Sequence, residues 1–226
     1  MTHFLRCFSA IFYKDLLSEL RQKEILNTVL FFGLLIIFIY SFALGTDPNL
    51  LKKMAPGLLW LVVLFSSILA LDRSFQSELE EGCLDHLVLY AASPRALFLG
   101  KVVTNFFTIL IIQITSAFAM MILFDLPFPD NFWLLAVTFL LGNLGLATLG
   151  TFYAALTIKT KARQAMLPLL LFPMLIPLLL ASVYATQMAL EGTLTEGSSA
   201  WLTLLGIYNL VFLTACTLAI EPLLEA

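Results

Sequence analysis

Charged residues divide this chain into six long apolar runs, and that spacing is its dominant pattern. The runs cover residues 25–44, 54–71, 102–124, 132–158, 165–189 and 201–220. A helix rises about 1.5 Å per residue, so a hydrocarbon core of ~30 Å needs about 20 residues. The second run is the shortest, and Leu50 and Leu51 can extend it. All 12 Lys and Arg, all 15 Asp and Glu and both His fall outside the runs. The pattern predicts an all-α integral membrane protein: one domain over residues 1–226, with six transmembrane helices. A secretory signal has a short basic region followed by about 7–15 apolar residues. The first run is longer, and Ser41-Phe42-Ala43 is a poor cleavage site. It reads as a retained span.

The polar stretches set the orientation. Arg6, Lys14, Arg21 and Lys23 precede the first run. Arg73, Arg95 and Lys101 lie between the second and third, and Lys159, Lys161 and Arg163 between the fourth and fifth. The other side holds only Lys52 and Lys53. Basic residues collect on the cytoplasmic side, so both termini are expected there. In residues 1–24, Phe4, Leu5, Phe8, Ile11, Phe12, Leu16, Leu17 and Leu20 recur at helical spacing, with cations at other positions. That spacing predicts an amphipathic helix lying in the cytoplasmic interface.

The longest polar connection, Asp72–Gly100, is also periodic. Leu79, Leu84, Leu87 and Val88 share a face, while Glu78, Glu80, Glu81 and Asp85 project elsewhere. Gly82 interrupts the pattern, which predicts two short helices with a bend. Pro94 is well placed as a first helical residue.

Composition agrees with the pattern. The chain is 61% hydrophobic and 12% charged, against roughly 25% charged for a soluble domain. A net charge of −3 with no basic cluster excludes a nucleic-acid surface. Cys7, Cys83 and Cys216 are widely separated, so they form no metal-binding or haem-attachment spacing. Three free thiols are expected.

The missing chemistry narrows the function. Ion-driven transporters usually carry an ionisable group inside the bilayer, and the runs contain none. A P-loop needs G-x-x-x-x-G-K-[ST]. At Gly100-Lys101 the next residue is Val102, and Arg95 stands at the first glycine position. No catalytic residues and no metal or cofactor ligands are identified. The chain is not expected to be an enzyme, and any active transport must draw its energy from another subunit.

Uncharged polar groups remain inside the spans: Asn105, Gln113, Asn143, Gln187 and Asn209. They either bond across helices or line a substrate path. Gly142, Gly145, Ala147, Gly150, Ala154 and Ala155 give the fourth span a packing face. Pro168, Pro173 and Pro177 each remove a backbone donor from the fifth, which makes it either a hinge or a bent shape that packs well.

The segment Glu78-Leu79-Glu80-Glu81-Gly82-Cys83-Leu84-Asp85-His86-Leu87, followed by Ser93-Pro94 and Leu99-Gly100-Lys101, resembles the coupling segment of ABC-2-type permeases. Ala55-Pro56-Gly57-Leu58-Leu59-Trp60, continued through Leu64–Phe75, resembles the haem exporter protein B (CcmB) family more closely. So do Leu140-Leu141-Gly142, the Lys159–Arg163 basic loop and Leu167-Pro168-Leu169 with Pro173 and Ile176-Pro177-Leu178. The similarity runs over essentially the whole chain, and the C-terminal end departs most.

The resemblance implies an ABC-2-type permease bundle in a bacterial inner membrane, part of the cytochrome c maturation system. Its partners would be two ATPase subunits, a second copy of the chain, a haem-handling membrane subunit and a haem chaperone. Haem would be the substrate of the complex. The ATPase-coupling segment would comprise Glu78, Glu80, Glu81, Gly82, Asp85, Leu87 and Pro94. The alternatives are a permease for another amphiphile, such as a lipid or antibiotic, and a non-transporting membrane scaffold.

Overall fold

The computed structural model describes residues 13, 23–45, 48–80, 94–157, 163–192 and 196–225. Six helices account for nearly all of them: α1 Lys23–Leu44, α2 Pro48–Glu80, α3 Pro94–Leu123, α4 Phe132–Thr157, α5 Arg163–Glu191 and α6 Glu196–Glu225. No strand occurs among the described residues.

Local chemistry sets several of the helix ends. α2 and α3 each begin on a proline, whose missing N–H and fixed φ suit a first helical position. Asn131 caps α4, its side-chain oxygen accepting from the Leu134 amide at 3.2 Å. Gly192 follows α5 at φ +67°, and a Cβ there would lie 2.9 Å from the Asp130 carboxylate. Both the left-handed backbone and the close approach call for glycine.

Five helices hold a stretch long and apolar enough to cross a membrane: Asn49–Asp72, Pro94–Leu123, Phe132–Thr157, Met166–Glu191 and Ser199–Leu223. In α1 the apolar stretch is shorter, Asn27–Ala43. Helices also outrun the apolar runs. α2 starts six residues before its run and continues through Arg73–Glu80. The end of hydrophobicity marks a boundary of solvation, not of helix, because Ser, Gln and Glu propagate a helix that is already nucleated.

α4 lies at the centre, packed against α2, α3, α5 and α6, whereas α1 leans mainly on α2 and α3. Large apolar side chains cover the outside, including Phe31, Phe38 and Phe42 on α1 and Ile114, Phe118 and Ile122 on α3. An apolar exterior around an apolar core is the arrangement lipid solvates and water does not.

One expectation changes. The sequence puts Lys101 in a polar connection. In the structure it lies two turns inside α3 and is 2% exposed. Pro94 opens the helix early, and the buried Ala96, Leu97 and Phe98 carry Lys101 into the packed interior. Lys101 engages a partner there.

Candidate functional site

The centre of the bundle is organised around Trp60 of α2, which is 1% exposed. Its indole ring sits where α4 has no side chain, since a Cβ on Gly142 would lie 2.2 Å from the ring. Its Nε1 donates to Thr186 Oγ1 of α5 at 3.0 Å. Phe139 of α4 meets the ring edge-to-face at 6.1 Å. One residue therefore ties α2, α4 and α5 together and keeps its polar atom bonded, as a buried indole requires. Gly145 and Gly150 repeat the device, making room for Leu178 of α5 and Leu71 of α2. The glycines of the fourth span are thus close-approach positions.

The five amides divide. Asn105 bonds across helices, its Nδ2 donating to Thr151 Oγ1 at 2.8 Å. Asn209 does so too, donating to the Leu141 carbonyl at 2.9 Å. Gln187 sits at the end of α5 and donates to Glu191 at 2.9 Å on its own helix. Gln113 and Asn143 are fully buried, and none of their side-chain nitrogen or oxygen atoms has a hydrogen-bond partner among the described residues. The antiparallel register set by Asn105 and Thr151 brings Gln113 and Asn143 level with each other. Both amides lie in an apolar interior, where a bare polar group would cost about 1–3 kcal/mol.

α5 runs unbroken from Arg163 to Glu191 through Pro168, Pro173 and Pro177. Pro177 leaves the Pro173 carbonyl without its intrahelical donor. The next carbonyl along, that of Met174, accepts from Tyr208 Oη of α6 at 2.7 Å. This bond ties α5 to α6 one residue from the freed carbonyl.

Charges gather at the two ends of the bundle. At one end Arg95, next to Pro94 at the start of α3, bonds Glu221 near the end of α6. Asp72 and Lys101 also lie at this end, and both have partners. The ion pair fixes the C-terminal helix end beside the start of α3. At the opposite end are Lys52, Lys53, Asp125, Asp130 and Glu191.

The sequence-derived coupling residues are only partly visible. Glu78 and Glu80 lie in the last turn of α2, and Pro94 opens α3. Glu81, Gly82, Asp85 and Leu87 lie outside the described residues, as do the predicted bend at Gly82 and all of the N-terminal segment except Tyr13, Lys23 and Glu24. Tyr13 is helical and exposed. Sequence reasoning missed the Arg95–Glu221 pair, because nothing local joins residues 126 positions apart. It also missed the burial of Lys101, although a helix counted from Pro94 would have carried that position into the third span.

The CcmB protein family model matches residues 6–226 of the chain. The heme exporter protein B of Rhodobacter capsulatus is 32% identical over 217 residues, covering 96% of this chain and 95% of that protein. The protein of the same name from Pseudomonas aeruginosa is 31% identical over 204 residues, covering 89% and 86%. That of Escherichia coli K12 is 30% identical over 183 residues, covering 80% and 82%. With its apolar helices, the chain is a multi-pass membrane protein, and it belongs to the CcmB family.

Proposed function

We propose that the chain is the membrane permease subunit of an ATP-driven haem exporter required for c-type cytochrome biogenesis. The observation that carries this reading is similarity along nearly the whole chain to proteins named heme exporter protein B. In this reading the energy enters from outside the bundle, because the six apolar runs of the sequence carry no ionisable side chain to bind a coupling ion.

In this reading all six helices cross a bacterial inner membrane as one permease domain over residues 1–226, with α1 as the sixth span. At 22 residues, α1 is about 33 Å long. Residues 1–24 lie in the cytoplasmic interface, and both termini are cytoplasmic. Two ATPase subunits dock on the segment holding Glu78, Glu80, Glu81, Gly82, Asp85, Leu87 and Pro94. ATP binding closes them. The segment passes the motion to α2 and α3, and the Arg95–Glu221 pair passes it on to α6. The bundle then rearranges around the Pro168, Pro173 and Pro177 region of α5. A second copy of the chain, a haem-handling membrane subunit and a haem chaperone complete the complex. The motion either exports haem or releases the haem-loaded chaperone.

Deletion of the gene is expected to abolish c-type cytochromes in a haem stain, and the wild-type chain to restore them. Gly82→Glu with Leu87→Arg is expected to fail to restore them and to lose the ATPase in a pull-down. Normal cytochromes after deletion would point to another amphiphile as cargo. Wild-type ATPase capture and ATP-dependent activity by the double variant would sink the coupling assignment.

A further inference from the structure

A cleft opens at the end of the bundle away from Arg95. It has a volume of about 320 Å³. Asn49, Lys52, Lys53 and Pro56 of α2 form one wall, and Gln187, Leu190 and Glu191 of α5 another. Leu126 and Pro127 from the α3–α4 connection close the third side. The wall is largely apolar, with its polar atoms on two neighbouring helices.

The charges within it do not balance. Glu191 is the one acid in the lining, and its carboxylate already accepts from Gln187. Lys52 and Lys53 are both exposed, and neither forms an ion pair among the described residues. Adjacent positions on a helix point about 100° apart, yet both lysines line the cleft, their long stems reaching round to it. The start of α2 at Pro48 adds the positive end of a helix dipole. These are also the only Lys or Arg on their side of the sequence-derived topology, the side where membrane proteins carry fewest.

We infer that this cleft binds the carboxylate- or phosphate-bearing edge of an acidic amphiphile, with the Lys52 and Lys53 ammonium groups on the anion. Pro56, Leu126, Pro127 and Leu190 hold the apolar body beside it. The cleft stands at the small end of ligand-pocket sizes, so it takes one edge of a large molecule. Resting on the permease reading above, it is an exit-side station for haem, whose two propionates and flat apolar ring have this chemistry. An anionic lipid headgroup shares that chemistry.

The test uses the full-length chain in phosphatidylcholine nanodiscs, titrated with haemin and followed at the Soret band. Lys52→Gln with Lys53→Gln is expected to weaken haemin binding about tenfold or more, the loss of one or two charge-assisted contacts. Lys52→Arg with Lys53→Arg is expected to keep it. Haemin dimethyl ester, its carboxylates blocked, should bind the wild type as weakly as haemin binds the Gln variant. A parallel arm measures phosphatidylglycerol retained through purification from mixed-lipid membranes. Lysine-dependent retention of that lipid, with lysine-independent haemin binding, assigns the site to a membrane headgroup. Equal haemin binding and equal lipid retention by the wild type and the Gln variant, at equal melting temperature, overturn the site. That result leaves the permease assignment standing, because the assignment falls only if deletion spares the c-type cytochromes.

Discussion

A methyl group on Gly142 would lie 2.2 Å from one ring carbon of Trp60, 2.8 Å from another and 2.9 Å from Ser182 Oγ. The ring cannot give way cheaply. It is buried, its Nε1 is bonded to Thr186, and Phe139 packs edge-to-face with it. Gly142→Ala should therefore destabilise the purified protein by about 1–3 kcal/mol through overpacking, read as a lower melting temperature in detergent. Gly57 and Gly206 are the internal control, because a Cβ at either meets nothing within 4 Å. Alanine there should leave the melting temperature unchanged or raise it, since helical glycine carries a cost of about 0.5–1 kcal/mol relative to alanine. Equal losses at all three positions would mean that the loss at Gly142 does not come from the seat of Trp60.

Among elements, the most consequential contact is the one sequence could not reveal. Arg95 joins the start of α3 to Glu221 at the end of α6. The side chains are 41% and 35% exposed, so solvent screens the pair and its coupling should be about 0.2–1 kcal/mol in a double-mutant cycle. Arg95→Glu alone should lower both stability and cytochrome yield. Adding Glu221→Arg should recover most of each, and failure of the swap to recover either would rule out the ion pair as the link. Helix existence was legible because apolar runs bounded by charges have few other solutions in lipid. Helix ends were less so. Hydropathy reports where lipid stops, and both α2 past Leu71 and α3 before Val102 continue beyond that point. The roles of Gly142, Gly145 and Gly150 were legible as small-residue positions, though their partners Trp60, Leu178 and Leu71 were not, since tertiary pairing leaves no local mark. The cleft was hidden for the same reason: Lys52 and Lys53 looked like an ordinary basic pair until α5 and the α3–α4 connection closed around them.

For the whole molecule, one choice of orientation decides which side of the membrane the cleft faces. The Arg95–Glu221 pair places the end of α6 beside the starts and ends of helices whose connections carry the basic residues. The C-terminal tail, with no Lys or Arg of its own, thereby acquires a side. In the proposed topology, which follows the ten-to-two bias of Lys and Arg, that side is the cytoplasmic one. The natural cysteines make this measurable. Cys7 and Cys83 belong to the cytoplasmic side in this topology, and Cys216 is buried in α6. A membrane-impermeant maleimide should therefore leave the wild-type chain unlabelled in intact spheroplasts and label it in inside-out vesicles. Phe128, exposed in the α3–α4 connection, supplies the opposite probe, and Phe128→Cys should label from outside in spheroplasts. A wild-type chain labelled from outside, with Phe128→Cys reached only in inside-out vesicles, would reverse the bundle. That outcome would put Lys52, Lys53 and their cleft on the ATP side and remove the exit-side role inferred for them.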